Sequence, residues 1–312
     1  MRAVLAAVIG LALLAEPADR ATTAAGGVLV VVSPGPEAYR AAGEAARRAV
    51  ADGGGAAEII VLDGPDAERR ASARLGGPND VALAVGARAA RFVRSQAPSS
   101  RFVYAMLLDP TALGLPAPGD APRKGTTGVT MDVDPAAQLD VLRTLAPDAR
   151  RVGVLYDPAI SGDAVRRASA VARKAGFEVV AQAVRGEGEV LSAATMLLPS
   201  VDALWGIADP TVLTAANARA LILLAMRSRK PLIALSEGFV RTGALAALAA
   251  DPEEVGRTAG SLALDLTQDD RAVAPLGPPR LELYLNRATA EHIGVAVPPQ
   301  LEAKASAVFP TP

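Results

Sequence analysis

Cysteine is absent from the 312 residues and histidine occurs once, at His292. The first absence excludes disulfides, thiolate metal sites, a cysteine nucleophile and a lipid anchor on an N-terminal cysteine. A single His with no Cys also leaves no ligand set for a catalytic zinc ion. With one Trp, four Tyr and five Phe, there is little from which to build a nucleic-acid surface of stacked rings or a sugar platform. Neither sign of charge dominates: 32 Lys plus Arg stand against 33 Asp plus Glu, so nucleic acid and anionic membranes find no broad attraction. No turn carries a GxGxxG dinucleotide fingerprint, a GxxxxGK(S/T) phosphate loop or a GxSxG nucleophile elbow. No cofactor and no metal are expected, and a small neutral or zwitterionic ligand fits the charge.

One long apolar run is present, AVLAAVIGLALLA from Ala3 to Ala15, behind Met1 and Arg2. A basic start before an apolar segment too short to span a bilayer is the pattern of a secretory signal. Residues 1–25 are expected to be a signal peptide, with Ala15 and Thr22 to Ala25 offering cleavage points; a buried or disordered N-terminal helix is the alternative. The expected location is exported and soluble, in the periplasm or cell envelope.

From Val28 onward, short apolar runs alternate with helical segments. VLVVVS, AEIIVLD, VALAVG and RFVYAMLLD read as strands, each followed by a turn and a helix. After a Pro- and Gly-rich stretch from Pro110 to Gly128, read as a surface loop or inter-lobe connection, the alternation resumes with RRVGVLYD, FEVVAQAV, VDALWGIA and KPLIALS. Such alternation predicts an α/β fold with parallel sheets. A chain of this length exceeds the usual size of a single core. Two Rossmann-like lobes joined by a hinge are expected. The first takes 26–127 plus about 250–275 and part of the C-terminus; the second takes 128–249 plus part of 276–312.

In parallel sheets ligands bind outside the carboxyl ends of the strands, and the candidate residues follow from that rule. In the second half, Asp209, Ser236 with Glu237, and Tyr156 with Asp157 stand at strand ends. In the first half, Ser33, Gly86 with Ala87, and Asp109 do. A carboxylate at Asp209 can receive an ammonium group, although Asp before Pro is also an ordinary helix start. Glu237 can be a solvated surface acid and Asp157 a turn former. Trp205 alternates within VDALWGIA and reads as a packed anchor, and His292 as a surface or packing residue.

GTTGV at 125–129, LRTLAP at 142–147, RRVGVLYDP at 150–158, KAGFEVV at 174–180, VDALWGIADPTVL at 201–213, KPLIALSEGFVRTGAL at 230–245, PEEVGRTAGSLA at 252–263 and LNRATAEHIGVAVP at 285–298 follow one another in order. In order and spacing this series resembles the substrate-binding proteins of ABC transporters that include tryptophan- and tyrosine-binding members. The resemblance implies a type 1 periplasmic-binding-protein fold and an exported, mostly monomeric receptor that delivers a small solute to a membrane permease. It also implies that Asp209 meets the ligand's amino group, with Ser236, Glu237, Tyr156 and Asp157 on neighbouring cleft turns. Three departures stand out: Ala87 replaces a small hydroxyl residue, Pro210 replaces an amide after the acid, and Arg101 replaces a Pro-initiated strand start. Two other readings stay open, a sensing or structural envelope protein with a degenerate cleft and a small-molecule enzyme using Asp209 and Glu237.

Overall fold

The computed structural model describes residues 27–77, 81–269 and 271–310. The apolar run from Ala3 to Ala15 and the candidate cleavage points lie outside the described residues. None of the described helices is long and apolar enough to cross a membrane.

The first lobe is built from β1 (Val28–Val32), α1 (Glu37–Asp52), β2 (Ala57–Val61), α2 (Pro65–Arg74), β3 (Val81–Val85), α3 (Ala87–Gln96), β4 (Arg101–Leu107), β5 (Arg123–Lys124) and β6 (Thr126–Thr130). The chain then crosses to α4 (Pro135–Leu145), β7 (Arg151–Tyr156), α5 (Pro158–Lys174), β8 (Glu178–Ala183), α6 (Val190–Leu197), β9 (Ala203–Trp205), α7 (Ala215–Arg227), β10 (Leu232–Ala234), α8 (Glu237–Thr242) and β11 (Ala246–Ala250). It returns as α9 (Pro252–Gln268) and β12 (Ala272–Val273), and crosses again into β13 (Leu281–Asn286), α10 (Arg287–Ile293), α11 (Pro299–Glu302) and β14 (Ala307–Phe309).

Each lobe holds one seven-stranded sheet, ordered β2-β1-β3-β4-β6-β5-β12 and β8-β7-β9-β10-β11-β13-β14. Pairing is parallel in the body of both sheets and antiparallel at β5 with β6, β12 with β5, and β13 with β11. The strands form as they do because they have no polar face: every residue of β1 and of β3 is buried, the signature of a strand covered by helices on both sides. The two α/β lobes match the expected fold class.

One stretch departs from the sequence reading. Thr126–Thr130 is a fully buried strand beside β4 rather than the end of a loop. β-Branched Thr suits a strand, and Gly128 supplies room: a Cβ there would lie 2.4 Å from the Tyr104 ring, which lies against it. Pro110, Leu115 and Pro116 are buried ahead of it, and the Tyr104 hydroxyl donates to the Pro116 carbonyl. The first crossing therefore runs from Met131 to Asp134, after the whole of β6, and not from residue 128.

The other two crossings are tied to each other. Asp251 caps α9 by accepting from the amides of Glu253 and Glu254, its own N–H donates to the Arg280 carbonyl at 3.1 Å, and its carboxylate lies 3.7 Å from the Arg280 guanidinium. Once back in the first lobe, α9 docks on α1 at backbone contact. A Cβ on Gly256 would lie 2.0 Å from the Ala42 carbonyl oxygen, and one on Gly260 would lie 2.4 Å from that of Ala46. Small residues one helical turn apart thus let two helices touch main chain to main chain.

Adding one methyl at such a contact forces the helices apart and costs about 1–3 kcal/mol or more. Gly256→Ala is expected to lower the unfolding free energy measured in urea by that amount. Gly162→Ala on α5, where the nearest atom to a new Cβ is the Arg166 guanidinium at 3.8 Å, is expected to be neutral or slightly stabilising. Equal effects of the two substitutions would contradict the close contact.

Candidate functional site

In both sheets the first strand of the lobe lies between the second and the third, so the connections diverge at the ends of β1 and β3 in one lobe and of β7 and β9 in the other. Such a divergence opens a crevice at the carboxyl ends, where open α/β sheets bind ligands. Eight of the nine sequence-predicted residues lie at or beside carboxyl ends: Ser33 after β1, Gly86 and Ala87 after β3, Asp109 after β4, Tyr156 and Asp157 at β7, Ser236 and Glu237 after β10. Asp209, the ninth, lies four residues beyond β9, between that strand and α7.

At the first-lobe divergence, the Ser33 hydroxyl is buried and accepts from the Ala89 amide at 2.9 Å, joining the end of β1 to the first turn of α3. Gly86 must be glycine: its φ is +83°, and a Cβ would lie 2.7 Å from the Ser33 hydroxyl and 3.0 Å from the Tyr39 ring. Burial pushes the Tyr39 phenol above its ordinary pKa. Neither α1 nor α3 is capped by its own N-cap residue; in α3 Ser33 takes the Ala89 amide instead. Asp109 is exposed, and one of its oxygens accepts from the Thr111 amide and hydroxyl.

The second-lobe divergence is closed from within. Asp209 is 2% exposed. Its Oδ1 accepts from the amides of Thr211 at 2.9 Å and Val212 at 3.3 Å. Its Oδ2 accepts from the Asp157 amide at 2.7 Å and from the Ser161 hydroxyl. A carboxylate has about four acceptor positions, and here all are filled by the chain itself. Asp157 in turn accepts from the Ala159 amide and, at 3.2 Å, from the Thr211 hydroxyl. Asp209 is therefore the buckle between the turns after β7 and β9, a buried carboxylate beside the start of α5, where the backbone dipole favours negative charge.

Glu237 opens α8 and pairs with Arg241 one turn on. It also lines a groove of about 910 Å³ that runs along α8 to Asn286, His292 and Phe309. His292 is exposed there, and Trp205 is buried with its indole N–H donating to Gln138 at 2.7 Å. Beneath the turns after β9 and β10 lies an apolar cavity of about 30 Å³ lined by Leu155, Trp205, Ile207, Val212 and Leu221 among others. It is far below the roughly 300–1,000 Å³ of a small-molecule cleft.

Two groups at the crossings escaped the sequence reading. Leu281 pairs with Ala250, so β13 starts at the carboxyl end of β11. The Tyr284 hydroxyl donates to Glu282 there, and its pKa is raised by burial first, then by Glu282, Glu237 and Asp251. Asp132, in the first crossing, has its carboxyl pKa raised by partial enclosure; Arg167 of α5 opposes the shift, and Asp109 and Asp134 add to it. Neither residue sits in a strand-end turn of the kind that marked the other candidates. Asp132 follows two residues after β6, and Tyr284 pairs with Ala247 inside β11.

The family model described as ABC transporter substrate binding protein matches residues 71–309. A tyrosine-binding protein of Clostridioides difficile (strain R20291) is 25% identical over 208 residues, 66% of this chain and 60% of that protein. The match thus spans less than two thirds of that relative's length. The ABC domain from Streptococcus pneumonia in complex with L-Trp superposes with a TM-score of 0.70 at 21% identity, covering 91% of this chain and 100% of that one. The ligand-free, open structure of a substrate-binding protein with adhesive properties from Clostridium difficile gives 0.77 at 20% identity, covering 92% and 100%. At these identities the solved structures establish the fold, the type 1 periplasmic-binding-protein arrangement of two α/β lobes.

Removing the Asp209 carboxylate leaves three amides and a hydroxyl without their partner, and each unpaired buried donor costs about 1–3 kcal/mol. Asp209→Ala is expected to lose at least about 3 kcal/mol in urea denaturation and Ser161→Ala about 1 kcal/mol; a neutral Asp209→Ala would contradict the buckle. For Asp132 the folded-state pKa lies above the unfolded one. Its ionisation therefore lowers stability as pH rises from the unfolded value through the folded one. Asp132→Asn is expected to raise Tm at neutral pH and to leave it unchanged below the carboxylate range, checked by melting curves across that interval.

Proposed function

The chain belongs to the ABC transporter substrate-binding protein family, and from that premise we propose that it is the exported receptor of an import system. It holds an amino-acid-sized solute between its lobes and presents the closed form to a membrane permease. The observation that carries this reading is the pair of divergence points, one per lobe, in sheets of the same strand order. Strand-end crevices are where such sheets bind, and three chain crossings allow one lobe to swing towards the other.

In this reading Ser33, Gly86, Ala87 and Asp109 line the first-lobe wall. Tyr156, Asp157, Ser236 and Glu237 line the second, and Asp209 fixes the turns that carry them. The solute acts by population shift: bridging both walls favours the closed form, and the permease distinguishes it from the open one. No bond is made or broken, consistent with a family of binding proteins rather than enzymes. The location follows from the same role, with residues 1–25 as the signal.

A ligand at about one hundred times its Kd adds about 2.7 kcal/mol of stability. Thermal-shift screening of the mature chain against amino acids, short peptides and organic acids is expected to raise Tm for one class. Small-angle scattering is expected to show a smaller radius of gyration with that ligand. An unchanged melting curve across every class contradicts the receptor role. Protein recovered from the exporting cell is expected to begin beyond Ala15; a chain that retains Met1 contradicts the signal.

A further inference from the structure

We infer that Leu108 and Ile160 are specificity-determining residues of the cleft. One from each wall, they grip the body of the solute and select an apolar body over a polar one of the same shape. This rests on the receptor reading above and narrows it.

The first contact is set by a break in β4. Up to Ala105 the strand alternates: Phe102 and Tyr104 are buried on the side of α2 and α3, Val103 and Ala105 on the side of α1 and α9. Met106 repeats the side of Ala105, and Leu107 then takes the place on the α2 and α3 side. The pairing with β6 shifts register at this point, between Ala105 and Leu107, and Met106 has a φ of +59°. A residue with a Cβ rarely adopts that backbone, and an extra residue in a strand re-aims the side chains that follow it. An unbroken alternation would turn Leu108 to the side of Phe102 and Tyr104. With the extra residue, Leu107 fills that side and Leu108 is left uncovered at the carboxyl end of the strand, 41% exposed. It stands between the ends of β3 and β6, next to the first crossing, whose Met131 amide donates to the Leu107 carbonyl at 2.9 Å.

The second contact is on α5. Ser161 turns inward to the Asp209 carboxylate, and Ile160, directly before it, is 54% exposed. Pro158 and Ala159 are exposed beside it, so the first turn of this helix offers an apolar surface where β7 ends. Arg167 lies on the same helix face seven residues on, and Asp132 of the first crossing feels the charges of both Arg167 and Asp109, the neighbour of Leu108. Leu108 and Ile160 therefore flank one crossing, each from its own lobe. A single exposed aliphatic residue is ordinary on a protein surface. Two at the strand ends of opposite lobes, one of them placed by an irregular backbone, make an apolar lining for what lies between the walls. Against two aliphatic side chains a carboxamide loses its water without gaining a partner, and an isopropyl group of the same shape does not.

The test is calorimetry on the full mature chain with shape-matched pairs, L-leucine against L-asparagine and isocaproate against succinamate, each exchanging an isopropyl group for a carboxamide. Within a pair that binds, the apolar member is expected to bind at least about tenfold tighter. Leu108→Ala and Ile160→Ala, both at exposed positions, are each expected to weaken the apolar member about five- to tenfold and to leave the carboxamide within about twofold. Met196→Ala, in the last turn of α6 and 68% exposed, is expected to change neither. A carboxamide that binds as tightly as its partner overturns the inference, and so do Leu108 and Ile160 variants that weaken both members alike or neither. If the wider screen yields only solutes without an apolar body, the inference falls while the receptor role stands. If nothing binds in either the pairs or the wider screen, both fall.

Discussion

The bilobed architecture depends on the main-chain contact between α1 and α9. α9 is the segment that leaves the second sheet and comes home to the first. Gly256 and Gly260 let it lie directly on the carbonyls of Ala42 and Ala46. Asp251, at the head of the same helix, bonds to the third crossing through Arg280. One helix therefore anchors the return and fastens two of the three connections to each other.

Each lobe then closes its own divergence point with a short polar link, and the two links differ in charge. Ser33 joins β1 to α3 with a neutral hydroxyl; Asp209 joins the turn after β9 to the turn after β7 with a buried carboxylate. A helix start favours negative charge, and the second lobe supplies that charge from its own chain.

The alternation of strands and helices and the parallel sheets were legible in the sequence because buried parallel strands such as VLVVV and VALAV are continuous apolar runs between turn signals; the type 1 periplasmic-binding-protein fold came only with the family resemblance. The substrate-binding family was legible in the ordered series from GTTGV to LNRATAEHIGVAVP. β6 was not: Thr126–Thr130 carries a single aliphatic residue, Val129, and its burial depends on Tyr104 lying across Gly128, a contact of high sequence separation. The state of Asp209 was equally hidden. Asp-Pro announces a turn, but only the tertiary pairing with Asp157 and Ser161 shows that the carboxylate has no acceptor left to offer. Glu282 comes to lie beside Ala249 near the carboxyl end of β11 through an antiparallel return that local pattern does not encode.

The most direct test of this account is a crystal structure of the chain with a bound solute. It predicts that the solute spans from the turn at Gly86 and Ala87 to the turns at Tyr156 and Ser236, with the Asp209 carboxylate still accepting from the Asp157 amide and the Ser161 hydroxyl. A solute bound elsewhere, or an ammonium group seated on Asp209 with those two donors displaced, would contradict it.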